Sequence, residues 1–184
     1  EFLKYGKWLH RPRKKKYFEG ERILIQEITG GQPPRICAAI YAETLYHDPG
    51  IISCLRISEA NIFALLGIIN SKLMSFYHQY NSPKGIRAQF PKVLISDIRD
   101  FPLPKLLNTS GSKTKMLENL VQHVTNIMTL EEKVATGKYS PDEMNRLRRQ
   151  IEATDTEIDK LVYELYDLTE LEIKTIEDGY NHAK

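Results

Sequence analysis

A dense run of positive charge lies near the start of the chain, directly beside two aromatic side chains. Its members, here called the basic run, are Arg11, Arg13, Lys14, Lys15 and Lys16, and Tyr17 and Phe18 follow. A polyanion gains from counterion release at each lysine or arginine that meets a phosphate, so such binding weakens steeply with salt. The pattern predicts a phosphate-binding surface that includes Tyr17, or else a solvated basic loop.

A second polar group surrounds the turn at Pro83 and Gly85. This second basic loop consists of Lys84, Arg87, Gln89 and Lys92. Arginine suits guanine N7 and O6, and glutamine suits adenine N6 and N7, whereas phosphate contacts carry no base information. We interpret the loop as a site for gripping phosphates and reading bases, or equally as an ordinary polar loop.

The net charge of +2 conceals an asymmetry between the two ends of the chain. Residues 1–35 contain nine basic and four acidic side chains, whereas residues 141–184 contain six basic and twelve acidic ones. A basic part joined to an acidic part indicates that only one of them meets a polyanion.

The sequence lacks the motifs of common catalytic sites. It has no Gly-rich cofactor loop after a strand and no P-loop, and its histidines have neither ligand nor triad spacing. Asp142 and Glu143 are explained as a helix start rather than as the acids of a metal-dependent nuclease. Cys37 and Cys54 lie in strand-like runs without a CxxC motif, so we expect two buried thiols. We expect no catalytic centre, metal or cofactor in this chain.

The length of 184 residues fits one ordinary domain plus an extension. No apolar run is long enough to span a bilayer, and no secretory pattern opens the sequence, so we expect a cytoplasmic protein without a membrane partner. The chain starts in a polar, basic stretch without an initiator methionine, which we interpret as a fragment of a larger protein.

Three strand-like runs and an amphipathic helix are predicted in the first part of the chain. The runs are 23–28, 36–42 and 51–57, separated by Gly and Pro pairs that include a hairpin turn at Gly30 and Gly31. After Ser58, a candidate N-cap, apolar residues recur at helical spacing as far as Tyr80. Residues 86–90 and 92–95 are predicted to be extended, and a helical turn is predicted at 96–100.

Two long helices are predicted in the second part. Gly137 supplies a helix stop, and Ser140, Pro141 and Glu143 supply an N-cap, an N1 proline and a capping-box glutamate. The short connection makes the helices antiparallel, and the second is expected to span about 27 residues, roughly 40 Å. Thr169 and Glu172 predict the cap of a short terminal helix. The fold class is therefore α+β, a mixed β-sheet packed on a central amphipathic helix and followed by a long antiparallel helical hairpin.

Several strings resemble the TaqI-like specificity domain of type IIG restriction-modification enzymes and adenine-specific DNA methyltransferases. They are the opening YGKWLHRPRKKKYFEGERILIQEIT, the helix LLGIINSKLMSFYH and the exit DIRDFPLPKL. The later string IDKLVYELYDLTELEI resembles the C-terminal segment that follows this domain in those enzymes. Residue by residue, Gly6, Trp8 and Leu9 match the opening segment, and Asn70, Ser71, Lys72 and Leu73 match the helix hallmark. Among the latter, Leu73 is expected to lie in the core, and Asn70 and Ser71 to fix local hydrogen bonds rather than touch bases.

The resemblance implies a sequence-specific, double-stranded DNA recognition domain of a type II (IIG-like) enzyme or N6-adenine methyltransferase. Residues 1–107 would form the recognition domain, and residues 108–184 a helical spacer or docking hairpin. The family's catalytic motif, Asn/Asp-Pro-Pro followed by an aromatic residue, is absent, and Asn81-Ser82-Pro83-Lys84 does not match it. The resemblance therefore implies a non-catalytic chain whose partners are duplex DNA and a catalytic domain of the same polypeptide, which would bind S-adenosylmethionine.

Two other readings remain open. The chain is also compatible with half of a type I restriction specificity subunit, which shares this architecture. It is further compatible with a helical protein-interaction module that does not bind DNA, in which the basic run only solubilises the protein.

Overall fold

A computed structural model describes residues 5, 6, 8, 12–31, 33–55, 61–85, 91–104 and 114–181, apart from the side chains of residues 180 and 181. Within these residues a 3₁₀ turn at Lys15–Tyr17 precedes the strands β1 (Arg22–Gln26), β2 (Ala38–Tyr41) and β3 (Ile51–Leu55). The helices that follow are α1 (Ile62–Asn70), α2 (Lys72–Asn81), α3 (Ile95–Arg99), α4 (Thr114–Thr136), α5 (Pro141–Leu165) and α6 (Glu170–Asn181).

The sheet has β1 at its centre, in the order β2-β1-β3. Ile23 of β1 pairs with Ile40 of β2 on one side and with Cys54 of β3 on the other. The three predicted strand runs and the α+β class are confirmed. The described strand pairs are all antiparallel, whereas a mixed sheet was predicted. No helix lies between these consecutive strands, and a parallel pairing of neighbours needs such a crossover connection.

The long central helix predicted from the sequence is two helices. Asn61 caps α1, its side chain accepting from Phe63 N at 2.9 Å, while the predicted cap, Ser58, lies outside the described residues. Ser71 interrupts the helix in an extended conformation with ψ 157°. Its hydroxyl donates to the Ile68 carbonyl at 2.7 Å and accepts from Met74 N at 3.2 Å. Ser71 therefore ends α1 and caps α2.

The helical hairpin follows its predicted caps. The Ser140 amide donates to Glu143 Oε2 at 2.9 Å, and Glu143 N donates to Ser140 Oγ at 3.3 Å, which completes the capping box of α5. Gly137 follows α4 with φ 61°, a left-handed conformation that glycine adopts without strain. The second helix has 25 residues. None of the helices in the described part of the chain combines the length and apolar character needed to cross a membrane.

The hairpin shares one hydrophobic core with the sheet. Leu120 and Val124 of α4 and Val162 of α5 are buried in the same cluster as Ile25 of β1. The close approach depends on Gly67 of α1, where a Cβ would lie 2.8 Å from Val124 Cγ2 and 3.0 Å from Leu120 Cδ1. One face of the hairpin is thus buried against α1. The division into functional parts at residue 107 stays a prediction.

A network of charged side chains joins the β1–β2 connection and α2 to α5 and α6. The Arg35 guanidinium donates to both carboxylate oxygens of Asp155, with Nη2 2.9 Å from Oδ1. The Lys72 backbone N–H donates to Asp159 Oδ1 at 2.8 Å, and its ammonium donates to Glu177 Oε2 at 2.9 Å. We call these five charged residues the junction.

Asp159 is the most buried member of the junction, with 2% of the residue exposed. Its Oδ2 accepts no hydrogen bond from a described residue, although Arg35 Nη2 lies 3.9 Å from Oδ1 and Lys72 Nζ lies 3.8 Å from Oδ2. Burial raises the pKa of Asp159 to about 6. The desolvation of the carboxylate outweighs the stabilisation of its charged form by the Lys72 hydrogen bond and the two cations.

Candidate nucleic-acid interface

The basic run is held on β3 by its own aromatic neighbours. Ser53 Oγ donates to the carbonyl oxygen of Tyr17 at 2.8 Å, which ties the 3₁₀ turn to the strand. Phe18 is buried, and its ring centroid lies 5.2 Å from those of Tyr46 and His47. The backbone that carries the cations is therefore fixed although the side chains point outward.

The described cations of the basic run are all exposed. These are Arg13, Lys14, Lys15 and Lys16, and none of them forms an ion pair with a residue that the structure describes. Lys16 Nζ lies 5.3 Å from the centroid of the Tyr17 ring, within the range of a cation–π contact. Arg11, the remaining predicted member, lies outside the described residues.

Two other arginines from the same basic end of the chain have structural roles. Arg22 is fully buried, and its Nη1 donates to the carbonyls of Gly20 at 2.6 Å and Glu43 at 3.0 Å. Arg35 is bound to Asp155 in the junction. Only part of the positive charge counted in the sequence is thus available to a polyanion.

Two described residues of the second basic loop lie beside the far end of β1. The Lys92 backbone N–H contacts the Lys84 carbonyl at 3.4 Å, and Lys92 Nζ lies 3.5 Å from Glu27 Oε1. Val93 N donates to the Glu27 carbonyl at 2.8 Å, which holds this segment against the strand. Arg87 and Gln89 lie outside the described residues, so their predicted role in base reading stays a prediction.

A groove of about 1090 Å³ lies beside the basic run, and neither described residue of the second basic loop lines it. Arg13 and Tyr17 of the basic run line one side, and Glu27, the partner of Lys92, also lines it. Strand β3 and residues 93–96, 98 and 99 supply most of the remaining surface. The fold thus brings to one groove the basic run and the segment that follows the second basic loop, which are far apart in the sequence.

Sequence reasoning missed α3 as part of this groove, including Ile95, Ser96 and Arg99. The predicted turn at 96–100 is confirmed as a helix, but its single arginine gave no cluster that could mark it as a site. Two features of α3 could have indicated a site. Ile95 is an apolar residue at an exposed position, and Arg99 is an exposed cation with no acidic residue three or four positions before it.

The side chain of Asp97 fixes the position of α3. Its Oδ2 accepts from the Leu94 amide at 2.9 Å and from Ser82 Oγ at 2.8 Å, and it lies 3.2 Å from Nε2 of the buried His78. Since His78 and Ser82 belong to α2 and its C-cap, the groove wall is attached to the core.

The hallmark residues Asn70 to Leu73 lie away from this groove. Ser71 caps α2 and so makes local hydrogen bonds as predicted. Asn70 accepts from Ala38 N at 2.8 Å and donates to Ala38 O at 2.9 Å, so its bonds join distant parts of the chain and the prediction of local bonds is wrong for this residue. Lys72 belongs to the junction, and Leu73 packs against the core. The motif therefore holds the scaffold together.

The cysteines and acidic residues offer no alternative site within the described part of the chain. Cys37 is exposed, so its predicted burial is wrong; it precedes an edge strand and points outward. Cys54 is half-buried, and burial raises the pKa of its thiol. Among the described residues, no group of three His, Cys, Asp or Glu side chains is placed to hold a metal ion.

Comparison with known proteins gives one family match. No curated protein and no solved structure matched the chain significantly. The model of the TaqI-like C-terminal specificity domain matches residues 1–103, more than half of the 184 residues, and this range contains the basic run, the sheet, α1 to α3 and the groove. The chain therefore belongs to the TaqI-like C-terminal specificity domain family, the DNA sequence-specificity domains of restriction-modification enzymes.

Proposed function

We propose that this chain is the target recognition domain, with its helical hairpin, of a type IIG-like restriction-modification enzyme or N6-adenine DNA methyltransferase. The observation that carries the proposal is the fixed, outward-facing set of cations at residues 13–16, which borders a groove within the range of the family match. Cations without protein partners are available to phosphates, and a fixed backbone lowers the cost of ordering them on DNA.

The catalytic step belongs, in this proposal, to another domain of the parent polypeptide. The absence of the Asn/Asp-Pro-Pro-aromatic motif from the sequence supports this assignment. That domain would bind S-adenosylmethionine and take the flipped adenine, while this chain holds the duplex in register. Calorimetry with S-adenosylmethionine is expected to give no binding to the chain alone, and tight binding would contradict the assignment.

A salt titration of duplex binding tests the recognition role. We expect the chain to select a defined sequence from a pool of random duplexes and to bind it with an affinity that falls linearly with salt on logarithmic axes. Substitution of Lys14, Lys15 and Lys16 by alanine should reduce that slope by about 0.9 for each lysine that meets a phosphate. Fluorescence anisotropy of a labelled duplex measures both quantities.

The matched control removes three exposed lysines from the helical part, Lys133, Lys138 and Lys174. This variant has the same net charge as the first, so an equal loss of affinity would show general attraction instead of a site. Equal affinity for unrelated duplexes at every salt concentration would contradict sequence recognition. Oligomerisation without salt-sensitive DNA binding would support a protein-interaction module, and a second recognition domain in the parent would support a type I specificity subunit.

A further inference from the structure

The groove beside the basic run has an open strand edge as one wall. All five residues of β3 line it, although successive side chains of a strand point to opposite faces. A run of consecutive residues therefore means that the edge of β3, and not one face of the sheet, borders the groove. Within the described residues β3 is an edge strand, paired only with β1. The opposite wall is α3 with the segment before it.

The charge of this groove is positive on both sides. Arg13 lies on the side of the basic run and Arg99 on the side of α3; both are exposed, and neither forms an ion pair with a described residue. Glu27 is the single acidic residue among the described residues that line the groove, and Lys92 lies 3.5 Å from it. The groove therefore favours an anion that reaches both arginines.

Much of the groove is apolar. Its apolar lining residues include Ile51, Ile52, Leu94 and Ile95. Ile95 is 57% exposed, whereas a core isoleucine is buried. The volume of about 1090 Å³ lies slightly above the ~300–1,000 Å³ of small-molecule pockets. An open groove lined largely by apolar side chains, with cations on both sides, fits a chain of alternating less polar and anionic groups.

Both walls are fixed before any ligand arrives. The Tyr17 carbonyl is tied to Ser53 on one side, and Asp97 ties α3 to α2 on the other. A ligand therefore meets two arginines whose backbones are already in place, so little ordering of the main chain opposes binding.

We propose that this groove takes one sugar–phosphate strand of the target duplex, with Arg13 and Arg99 contacting phosphates from its two sides and Ile95 facing a sugar between them. The inference rests on the proposed function and adds α3, which belongs to neither basic patch, to the surface that contacts DNA. The groove fixes where the duplex lies, whereas the reading of bases is left to other residues.

Single substitutions in the groove test it separately from the lysines of the basic run. Arg99→Ala and Arg13→Ala should each weaken duplex binding uniformly across sequences and reduce the salt slope by about 0.9. Ile95→Glu, which places a negative charge in the groove, should weaken binding more than either. Arg146→Ala on the exposed surface of α5 is the matched control and should leave both affinity and slope unchanged.

Ethylation interference locates the contacts on the DNA. In the wild-type complex, ethylated phosphates on one strand should block binding, and Arg99→Ala should relieve interference at a defined phosphate without moving the others. If the lysine variants of the basic run weaken binding while Arg13→Ala and Arg99→Ala behave like Arg146→Ala, the groove inference is wrong and the proposed function stands. If the wild-type chain binds no duplex, both fail. Stronger binding of a peptide or of RNA than of duplex DNA would also overturn the inference.

Discussion

The cations of the groove and those of the junction are the same residue types in opposite circumstances. Arg13 and Arg99 are exposed and have no carboxylate partner among the described residues, whereas Arg35 and Lys72 contact Asp155 and Glu177 directly. An arginine held by protein carboxylates is no longer available to a phosphate. The comparison shows that the role of a cation in this molecule is set by the partner that the fold brings to it.

The helical hairpin, whose α5 carries Asp155 and Asp159 of the junction, packs on α1 through apolar side chains. Removing one of these apolar contacts should have the largest effect. Leu120→Ala deletes a fully buried side chain of α4 that packs on Gly67 of α1. We expect a loss of roughly 2–5 kcal/mol in the free energy of unfolding. Urea denaturation followed by circular dichroism should show one transition for the whole molecule. Leu171→Ala, at a residue 75% exposed, is the control and should change little.

Two separate urea transitions would contradict the shared core. They would mean that the hairpin unfolds independently of the sheet and that the shared core contributes little to either. The junction would then be a contact between two independent units.

Asp159 gives the junction a predicted dependence on pH. Because burial raises its folded-state pKa to about 6 from 3.8, the folded chain binds this proton more tightly than the unfolded chain does. The resulting stability is fully present below pH 3.8 and is lost as pH rises through about 6. With about 1.4 kcal/mol for each tenfold change in proton affinity, the loss is about 3 kcal/mol.

Asp159→Asn should remove that component while its amide oxygen still accepts from the Lys72 N–H. The difference in Tm between the variant and the wild type should therefore shift in favour of the variant between pH 4 and about 7. Thermal unfolding across this range provides the measurement. A pH-independent difference would show that water reaches Asp159 and that its carboxylate behaves like an exposed one.

Arg35→Ala tests the comparison directly, because it removes a cation from the junction and not from the groove. It leaves Asp155 without its bidentate partner, and we expect a loss of about 2 kcal/mol, below the range for fully buried pairs because both side chains are partly exposed. The salt slope of duplex binding should stay at the wild-type value. Arg13→Ala should give the reverse, an unchanged Tm and a reduced slope. If both variants change the same quantity, the two sets of cations are not functionally distinct.

The smallest effect is expected from the hydrogen bond that anchors the basic run. Ser53→Ala removes the donor to the Tyr17 carbonyl, which corresponds to about 1 kcal/mol. No charge is lost, so duplex affinity should fall by a few-fold with an unchanged salt slope. Thr156→Ala on α5, which removes an exposed hydroxyl that donates to the Glu152 carbonyl at 2.9 Å, serves as the control. A change in slope would mean that the turn moves far enough to lose a phosphate contact.

Features governed by neighbours in sequence were predicted well. The caps at Ser140 and Thr169 follow from residues three positions away, and Glu172 Oε2 accepts from Thr169 N at 2.8 Å. The strand runs and the turn between Gly30 and Arg35 were also predictable from local spacing. Local hydrogen bonds and side-chain periodicity are encoded within a few residues, so the sequence displays them.

Features that depend on distant residues were not predictable. Ser71 breaks the apolar stripe of a helix at a place where Ala38 and Asp159 bind the adjacent Asn70 and Lys72, and neither partner is near in sequence. The sequence likewise treats Arg35 and Arg13 alike, since Asp155 lies 120 residues from Arg35. The α3 wall of the groove was missed for the same reason.

The Asn70 side chain has a consequence for how copies of this chain behave at high concentration. Its amide satisfies both the N–H and the carbonyl of Ala38 on the outer side of β2. Unsatisfied strand borders are templates for sheet extension and aggregation. One side chain from α1 therefore occupies, at Ala38, the position that a strand of a second molecule would need, and opposes pairing at that end of the border.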